Sequence, residues 1–313
     1  MARLVVRRLL LAVPTLFVVA TFSFLLMQLV PGDPALMILG QNATQSQIAD
    51  LHTQLGLDQP PMEQYVSWLG SAITGDLGTS IITGRSVVSS LSLALPPTMS
   101  LAILATVVSL LLGVTFGMLG AVKGGWTDRA IQQVAGVGLA IPNFWVAYIL
   151  ILVFALTFQL FPATGYVPIN QDPVGWLKSL VLPVASIAIA NTCQILLQTR
   201  ASVLDVQSRD FIRTLQATGI RRGAVLTKHV LRNAAIPVAV ATGISFIGVF
   251  SGVVVIEAIF NTPGLGNLLL TGVQGADFPV VQGTIVVFAI LVILTNLAVD
   301  LATGWLDPRV RLS

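Results

Sequence analysis

The sequence predicts an all-α, polytopic membrane protein with six transmembrane helices. Composition is the first reason. The 313 residues are 55% hydrophobic and only 9% charged, with a mean hydropathy of +0.89. Soluble domains carry about 25% charged residues, so a chain this apolar has too little polar surface to face water. The second reason is segment length. Residues 9–30, 98–122, 134–160, 179–197, 234–256 and 278–299 contain no Asp, Glu, Lys or Arg. Each approaches or exceeds the roughly 20 apolar residues that a spanning helix needs. These observations exclude a disordered chain, a disulfide scaffold and a nucleic-acid-binding domain. The net charge is only +3, and Cys193 is the one cysteine, which rules out an internal disulfide and a thiolate zinc site.

The first span follows Arg3, Arg7 and Arg8. Its apolar run exceeds the roughly 7–15 residues of a signal-peptide core, so it reads as a retained helix. Residues 1–30 form a cytoplasmic tip and this helix, 31–97 an outer segment, 98–306 a five-helix domain and 307–313 a cytoplasmic tail. A seventh uncharged stretch, 258–276, holds Asn261, Pro263, Gly264, Gly266, Asn267, Gly272, Gln274 and Gly275. Lipid-exposed backbone cannot be so irregular, and the stretch reads as a loop folded back against the outer side of the bundle.

Charge tests this topology. With the N-terminus in the cytoplasm, 14 of the 16 basic residues fall inside, and only Arg85 and Lys178 fall outside. That matches the positive-inside rule. A seventh span would move Arg309 and Arg311 outside. Both termini are therefore expected in the cytoplasm.

Two connecting segments are too long to be simple links. The outer segment carries Asp33, Asp50, Asp58, Glu63 and Asp76 against Arg85. Within it, Thr44 caps a short helix with Ile48, Leu51 and Leu55 on one face. Pro60 or Pro61 starts another through Tyr65, Trp68 and Leu69. It is either a structured cap over the bundle or a docking surface for an outer partner. The inner segment 200–232 holds seven basic residues with Asp205 and Asp210. Phe211, Ile212 and Leu215 share a face of a short helix, and Gly219 stands where a left-handed helix stop is expected. A second helix runs through Val225, Leu226, His229 and Val230 toward Asn233, with Pro237 where the next span begins. Lipid binding is one reading of such a basic loop. The break at Ala217-Thr218-Gly219 favours a protruding knuckle that docks into a groove on another protein.

Catalytic chemistry is not visible. His52 and His229 fall on opposite sides of the membrane, and Asp277 and Asp300 flank the last span at opposite ends. No two-histidine metal site or paired-carboxylate site can be assembled. No phosphate-binding G-x-x-x-x-G-K-[ST] occurs. Asn143, Asn191, Gln194 and Ser245 lie within spans, and Glu257 ends the fifth. They line a translocation path, or they hold the bundle through interhelical hydrogen bonds of about 0.6 kcal/mol each. Glu257 gates the path or meets a solute amino group; a capping or snorkelling role is the alternative. Gly113, Gly117 and Gly120 read as close-packing positions.

Several motifs now gain meaning together. The run from Asp210 to Gly219, followed by Lys228-His229-Val230-Leu231-Arg232-Asn233-Ala234-Ala235-Ile236-Pro237, resembles the EAA loop of ABC importer permeases, here residues 200–237. Further marks are Pro31-Gly32-Asp33-Pro34, Leu55-Gly56-Leu57-Asp58-Gln59-Pro60, Gly75-Asp76-Leu77-Gly78 and Leu95-Pro96-Pro97-Thr98. Ile141-Pro142-Asn143-Phe144-Trp145, Phe161-Pro162-Ala163-Thr164-Gly165-Tyr166, Glu257-Ala258-Ile259-Phe260, Pro263-Gly264-Leu265-Gly266 and Asp307-Pro308-Arg309 complete the order. The chain is similar to the B-type permeases of the dipeptide, oligopeptide and nickel family. It departs from the EAA core at Leu215, where the family often has Ala, and at Arg213, where the general core has Glu.

The resemblance implies a type I ABC importer permease fold and a non-enzymatic subunit that binds no cofactor and no metal. It implies a homologous second permease forming a heterodimer, two cytoplasmic ATP-binding subunits that use the ATP, and an outer solute-binding protein. The bacterial cytoplasmic membrane is the implied location. Phe211, Ile212, Arg213, Thr214, Leu215, Ala217, Gly219 and Arg221 are the implied ATPase-coupling residues. A peptide is the implied solute, with nickel chelates, glutathione and oligosaccharides as alternatives. An ion-coupled secondary transporter is the rival class; it would show internal repeats and mid-membrane ionisable groups, which this sequence lacks.

Overall fold

The computed structural model describes residues 2–29, 33–40 and 42–306. Pro31, Gly32 and the 307–313 tail with Arg309 and Arg311 lie outside the described residues. Among the described residues the regular elements are helices, with one isolated antiparallel bridge between Thr79 and Ser86.

The chain opens with α1 (Ala2–Gln28), then α2 (Pro34–Leu39), α3 (Gln45–Leu55) and α4 (Pro61–Ile73). The start of α3 follows from its sequence: Thr44 and Gln47 form a reciprocal capping box, and Gly56 ends the helix in the left-handed region at φ 67°. His52 of α3 hydrogen-bonds Asp33, the N-cap of α2, at 2.8 Å. Burial raises the Asp33 carboxyl, but the hydrogen bonds from His52 and the Ala35 N–H outweigh it and hold it below the usual range. Tyr65 of α4 meets Thr21 at 2.6 Å and packs its ring, tilted at 52°, against Phe24, which ties this cap to α1.

Next come α5 (Val87–Lys123), α6 (Gly125–Ala140) and α7 (Asn143–Leu150), the last continuing as a π-helix over Ile151–Thr157. After α8 (Pro173–Ser208) follow α9 (Asp210–Ala217) and α10 (Arg222–Ala224). A π-helical Val225–Val230 then leads into α11 (Leu231–Ile259), before α12 (Leu265–Gln274) and α13 (Phe278–Leu306). Five helices among the described residues are long and apolar enough to cross a bilayer: Val5–Gln28, Val87–Lys123, Pro173–Ser208, Arg222–Ile259 and Phe278–Gly304. A sixth crossing needs the bent pair Gly125–Ala140 and Asn143–Thr157.

That pair stands where the third span was expected over 134–160, and its first helix begins earlier, at Gly125. Its two helices meet at 96°. Pro142 pushes the preceding Ile141 out of the helical region to φ −87°, ψ 124°, so the apolar run hides a break. The second span is also longer than expected, because α5 starts at Val87 and runs through Pro96 and Pro97. Its 37 residues exceed the ~20 needed to cross. The second helix of the knuckle and the fifth span, expected as separate elements, are one continuous helix, Arg222–Ile259. Pro237 removes a donor there without ending the helix. The uncharged 258–276 stretch is no span: its helix α12 has ten residues and packs on α11, α13 and α5.

The central element is α8, which packs against α5, α6, α7 and α11. The main core gathers Leu101 and Ala105 of α5, Leu180 and Ile187 of α8, and Val253 and Ile256 of α11. Close approach of α5 to α8 depends on two glycines. A Cβ at Gly113 would stand 2.8 Å from the Ile195 side chain, and one at Gly117 would stand 2.6 Å from the Leu196 carbonyl. Ser109 donates to the Ala188 carbonyl at 3.1 Å across the same contact. On the far side, Arg200 of α8 forks onto Asp128 of α6 at 2.5 and 2.6 Å. The first helix is held more loosely, packing on α13 with Arg8 paired to Asp300.

Candidate functional site

At one end of the bundle, the ends of α5 and α8 and the start of the Arg222–Ile259 helix converge on α9. Arg209 turns extended (φ −74°, ψ 143°), which ends α8 and lets α9 leave at a new angle. Helix α9 then stops at Thr218, and Gly219 follows at φ +78°. This is the expected left-handed stop. Open space surrounds the position a Cβ would take at Gly219, so backbone conformation alone selects glycine there.

The apolar residues of α9 do not all face one way, and this corrects the expected docking face. Ile212 is 1% exposed and lies with Val203, Val206, Val225, Val230 and Ala121 in a core of its own, with Leu215 packed against it. Phe211 points outward at 40% exposure, as does Ile220 at 38%. The reason is geometric. Consecutive helical residues are about 100° apart, so Phe211 and Ile212 cannot face the same way, and a two-helix knuckle needs its own core to keep its shape. Thr214 and Ala217 continue the outward face from Phe211. Arg213 is exposed and pairs loosely with Asp210 at 3.4 Å, and Arg221 is also exposed.

The polar residues expected along a path differ in their surroundings. Asn191 and Ser245 each bury a polar atom with no hydrogen-bond partner among the described residues. Gln194 is exposed, and Asn143 is half-buried at the start of α7, close to Gly252. Glu257 is fully buried and presents no surface to a path. Its carboxylate accepts the Thr98 hydroxyl at 2.5 Å, and the N–H groups of Gly266 and Asn267 at 2.7 and 3.1 Å. The Thr98 hydroxyl in turn accepts the Leu265 N–H at 2.8 Å. The motif from Glu257 to Gly266 is thus a cap: a carboxylate satisfies the unpaired first N–H groups of α12 and welds it to α11 and α5.

At the opposite end from α9 lies a cavity of about 900 Å³. Its walls come from the hairpin before α5, the first turns of α5, the loop before α8, and α12. Sequence reasoning missed it. None of Asn143, Asn191, Gln194, Ser245 and Glu257 lines it; Arg85, Tyr166, Asn170, Asn267 and Thr271 do. The hairpin that carries Arg85 is tightly built. Ser80 and Arg85 share a backbone hydrogen bond at 2.8 Å, and the Ser80 hydroxyl accepts the Thr83 N–H at 2.9 Å. Asp277, 3% exposed, accepts the Ser80 hydroxyl at 2.5 Å and the Ile81 N–H at 3.2 Å. The signal available in the sequence was the turn-forming run from Gly75 to Gly78 and Gly84 beside Arg85.

Comparison with known proteins decides the family. The family described as binding-protein-dependent transport system inner membrane component matches residues 109–312, and its N-terminal membrane-component family matches 1–102. The chain belongs to this family. It is 39% identical over 308 residues to a probable peptide ABC transporter permease of Sinorhizobium fredii, covering 98% of each chain. An oligopeptide transport permease of Bacillus subtilis is 36% identical, with 99% of this chain and all of that one covered. A glutathione transport permease of Escherichia coli is 36% identical over 99% of both chains. A solved structure of the MetNI methionine ABC transporter, inward facing, matches in fold with a TM-score of 0.57 at 17% identity. It covers 69% of this chain and 96% of that one. The chain is a multi-pass permease subunit of an ABC importer with the type I permease fold.

Proposed function

We propose that the chain forms half of the translocation path of an importer for peptides or similar small solutes. It pairs as a heterodimer with a homologous second permease. Two cytoplasmic ATP-binding subunits drive the pair, and an outer binding protein delivers the solute. The chain binds no cofactor of its own, and the partner subunits use the ATP. The α9 end is cytoplasmic, with both termini, and the end that carries α2–α4 and the large cavity faces outward.

The observation that carries this reading is the knuckle. Ile212 and Leu215 hold α9 to the bundle, and Phe211, Thr214, Ala217 and Ile220 are left facing away from it. A small helix anchored on one face and free on the other transmits force as a rigid body. Such a face, with the aromatic Phe211 at its leading end, suits a groove on a partner. Arg213 and Arg221 stand at the rim, where charge steers encounter more than it adds affinity. The peptide substrate is supported by the relatives named for peptides and oligopeptides. The relative named for glutathione keeps that tripeptide within the same solute class.

The test is purification in mild detergent followed by reconstitution. The chain should recover two ATPase subunits and a second permease. The reconstituted complex should take up short peptides in the presence of ATP and the loaded binding protein. Recovery of the chain alone, with uptake driven by an ion gradient, would replace this reading with the secondary-transporter one.

A further inference from the structure

Arg85, an exposed residue, lines the 900 Å³ cavity with no carboxylate partner among the described residues. The obvious candidate, Asp277, shares the wall, but its two oxygens are taken by Ser80 and Ile81. Asp277 therefore does not neutralise Arg85; it buttresses the hairpin that presents it. The remaining polar groups of the wall, Asn170, Asn267, Thr271 and Tyr166 among them, are neutral. The surroundings sharpen the contrast. This end of the molecule is acidic, with Asp33, Asp50, Asp58, Glu63, Asp76 and Asp172, and Lys178 is its one other basic residue. A lone cation carried on a braced hairpin, in a pocket whose other free polar groups are neutral, selects a ligand with one carboxylate and a mainly apolar body.

We infer that this cavity is a solute-binding vestibule in which Arg85 holds the free carboxylate of the incoming peptide. Asp277 is a positioning residue for that contact. Arg85 offers a fork of donors that matches a carboxylate, and the cavity has room for a short peptide. The walls present no free acid, so the peptide amino group is not read here. The inference rests on the peptide-importer reading and adds a specificity to it: the permease itself discriminates solutes by their C-terminus.

The experiment uses the complete importer in liposomes with saturating, loaded binding protein and two probes, trialanine and trialanine amide. Uptake by each variant is expressed relative to the native complex for the same probe, so the preference of the binding protein cancels. Arg85→Gln should lower trialanine uptake roughly ten-fold or more, the scale of a lost charge-assisted hydrogen bond. Amide uptake should fall by less than about two-fold. Arg85→Lys should retain most of the trialanine uptake. Unchanged uptake of both probes, or equal loss of both, overturns the inference. So does weaker docking of the binding protein to the Arg85→Gln complex, which would assign Arg85 to an acidic side chain of that protein. If the native complex takes up neither probe, the peptide reading fails and this inference falls with it.

Discussion

At the scale of single residues, Gly219 and Glu257 show what a sequence discloses and what it hides. The stop at Gly219 was legible because its cause is local: an amphipathic turn ends, and the next residue must visit the left-handed region. It does so at φ +78° with open space around it. A β-branched residue there costs about 1–2 kcal/mol or more in backbone energy alone. Gly219→Val should therefore leave the bundle inserted while tilting α9 out of line. The expected variant is expressed at native levels but loses ATPase subunits on purification, or hydrolyses ATP without uptake. Arg221→Ala should weaken assembly less, because an exposed charge is worth little. Normal uptake and normal ATPase recovery in Gly219→Val would transfer residues 200–232 to a lipid-binding role. Glu257 was not legible in the same way. Its partners include the backbone of Gly266 and Asn267 and the hydroxyl of Thr98, 159 positions earlier. Only the packed helices bring them together.

At the scale of elements, periodicity found the amphipathic turn of α9 but could not say which side faced home. Phe211, Ile212 and Leu215 are equally apolar, and their orientation depends on Val203, Val225 and Val230, which arrive from other helices. The distinction has a measurable consequence. Ile212→Ala removes buried methyl groups from the knuckle core and should cost about 2–4 kcal/mol locally. It should open residues 200–232 to proteolysis in the isolated permease. Phe211→Ala should leave that protease pattern native while reducing ATPase recovery, since it removes an aromatic anchor from an exposed face. The reverse pattern would show that Ile212 meets the partner and Phe211 holds the knuckle. The sharp bend in the third span was hidden for a related reason. Hydropathy counts apolar residues without geometry, and the Pro142 break leaves the apolar run from 134 to 160 unchanged while turning the chain by 96°.

At the scale of the whole molecule, six crossings were countable from composition, but the broken pair makes the third of them conditional on geometry. If Gly125–Ala140 and Asn143–Thr157 together cross the bilayer, α3 and α9 lie on opposite sides, separated by three crossings. If the 96° bend instead makes a re-entrant loop, only two crossings separate them and they share a side. The charges choose between these. A re-entrant loop would place Arg200, Arg209, Arg213, Arg221, Arg222, Lys228 and Arg232 with the acidic α2–α4 segment on the outer face, against the inward bias of basic residues. A true crossing keeps all seven inside. Thiol labelling can read this directly, because the native Cys193 is 7% exposed and packed beside Gly138, out of reach of a charged, membrane-impermeant maleimide. Gln45→Cys, at the exposed start of α3, should label in right-side-out vesicles. Thr218→Cys, at the tip of the knuckle, should label only in inside-out vesicles. Labelling of both from the same face would make the bent pair re-entrant and turn the knuckle away from any cytoplasmic ATPase.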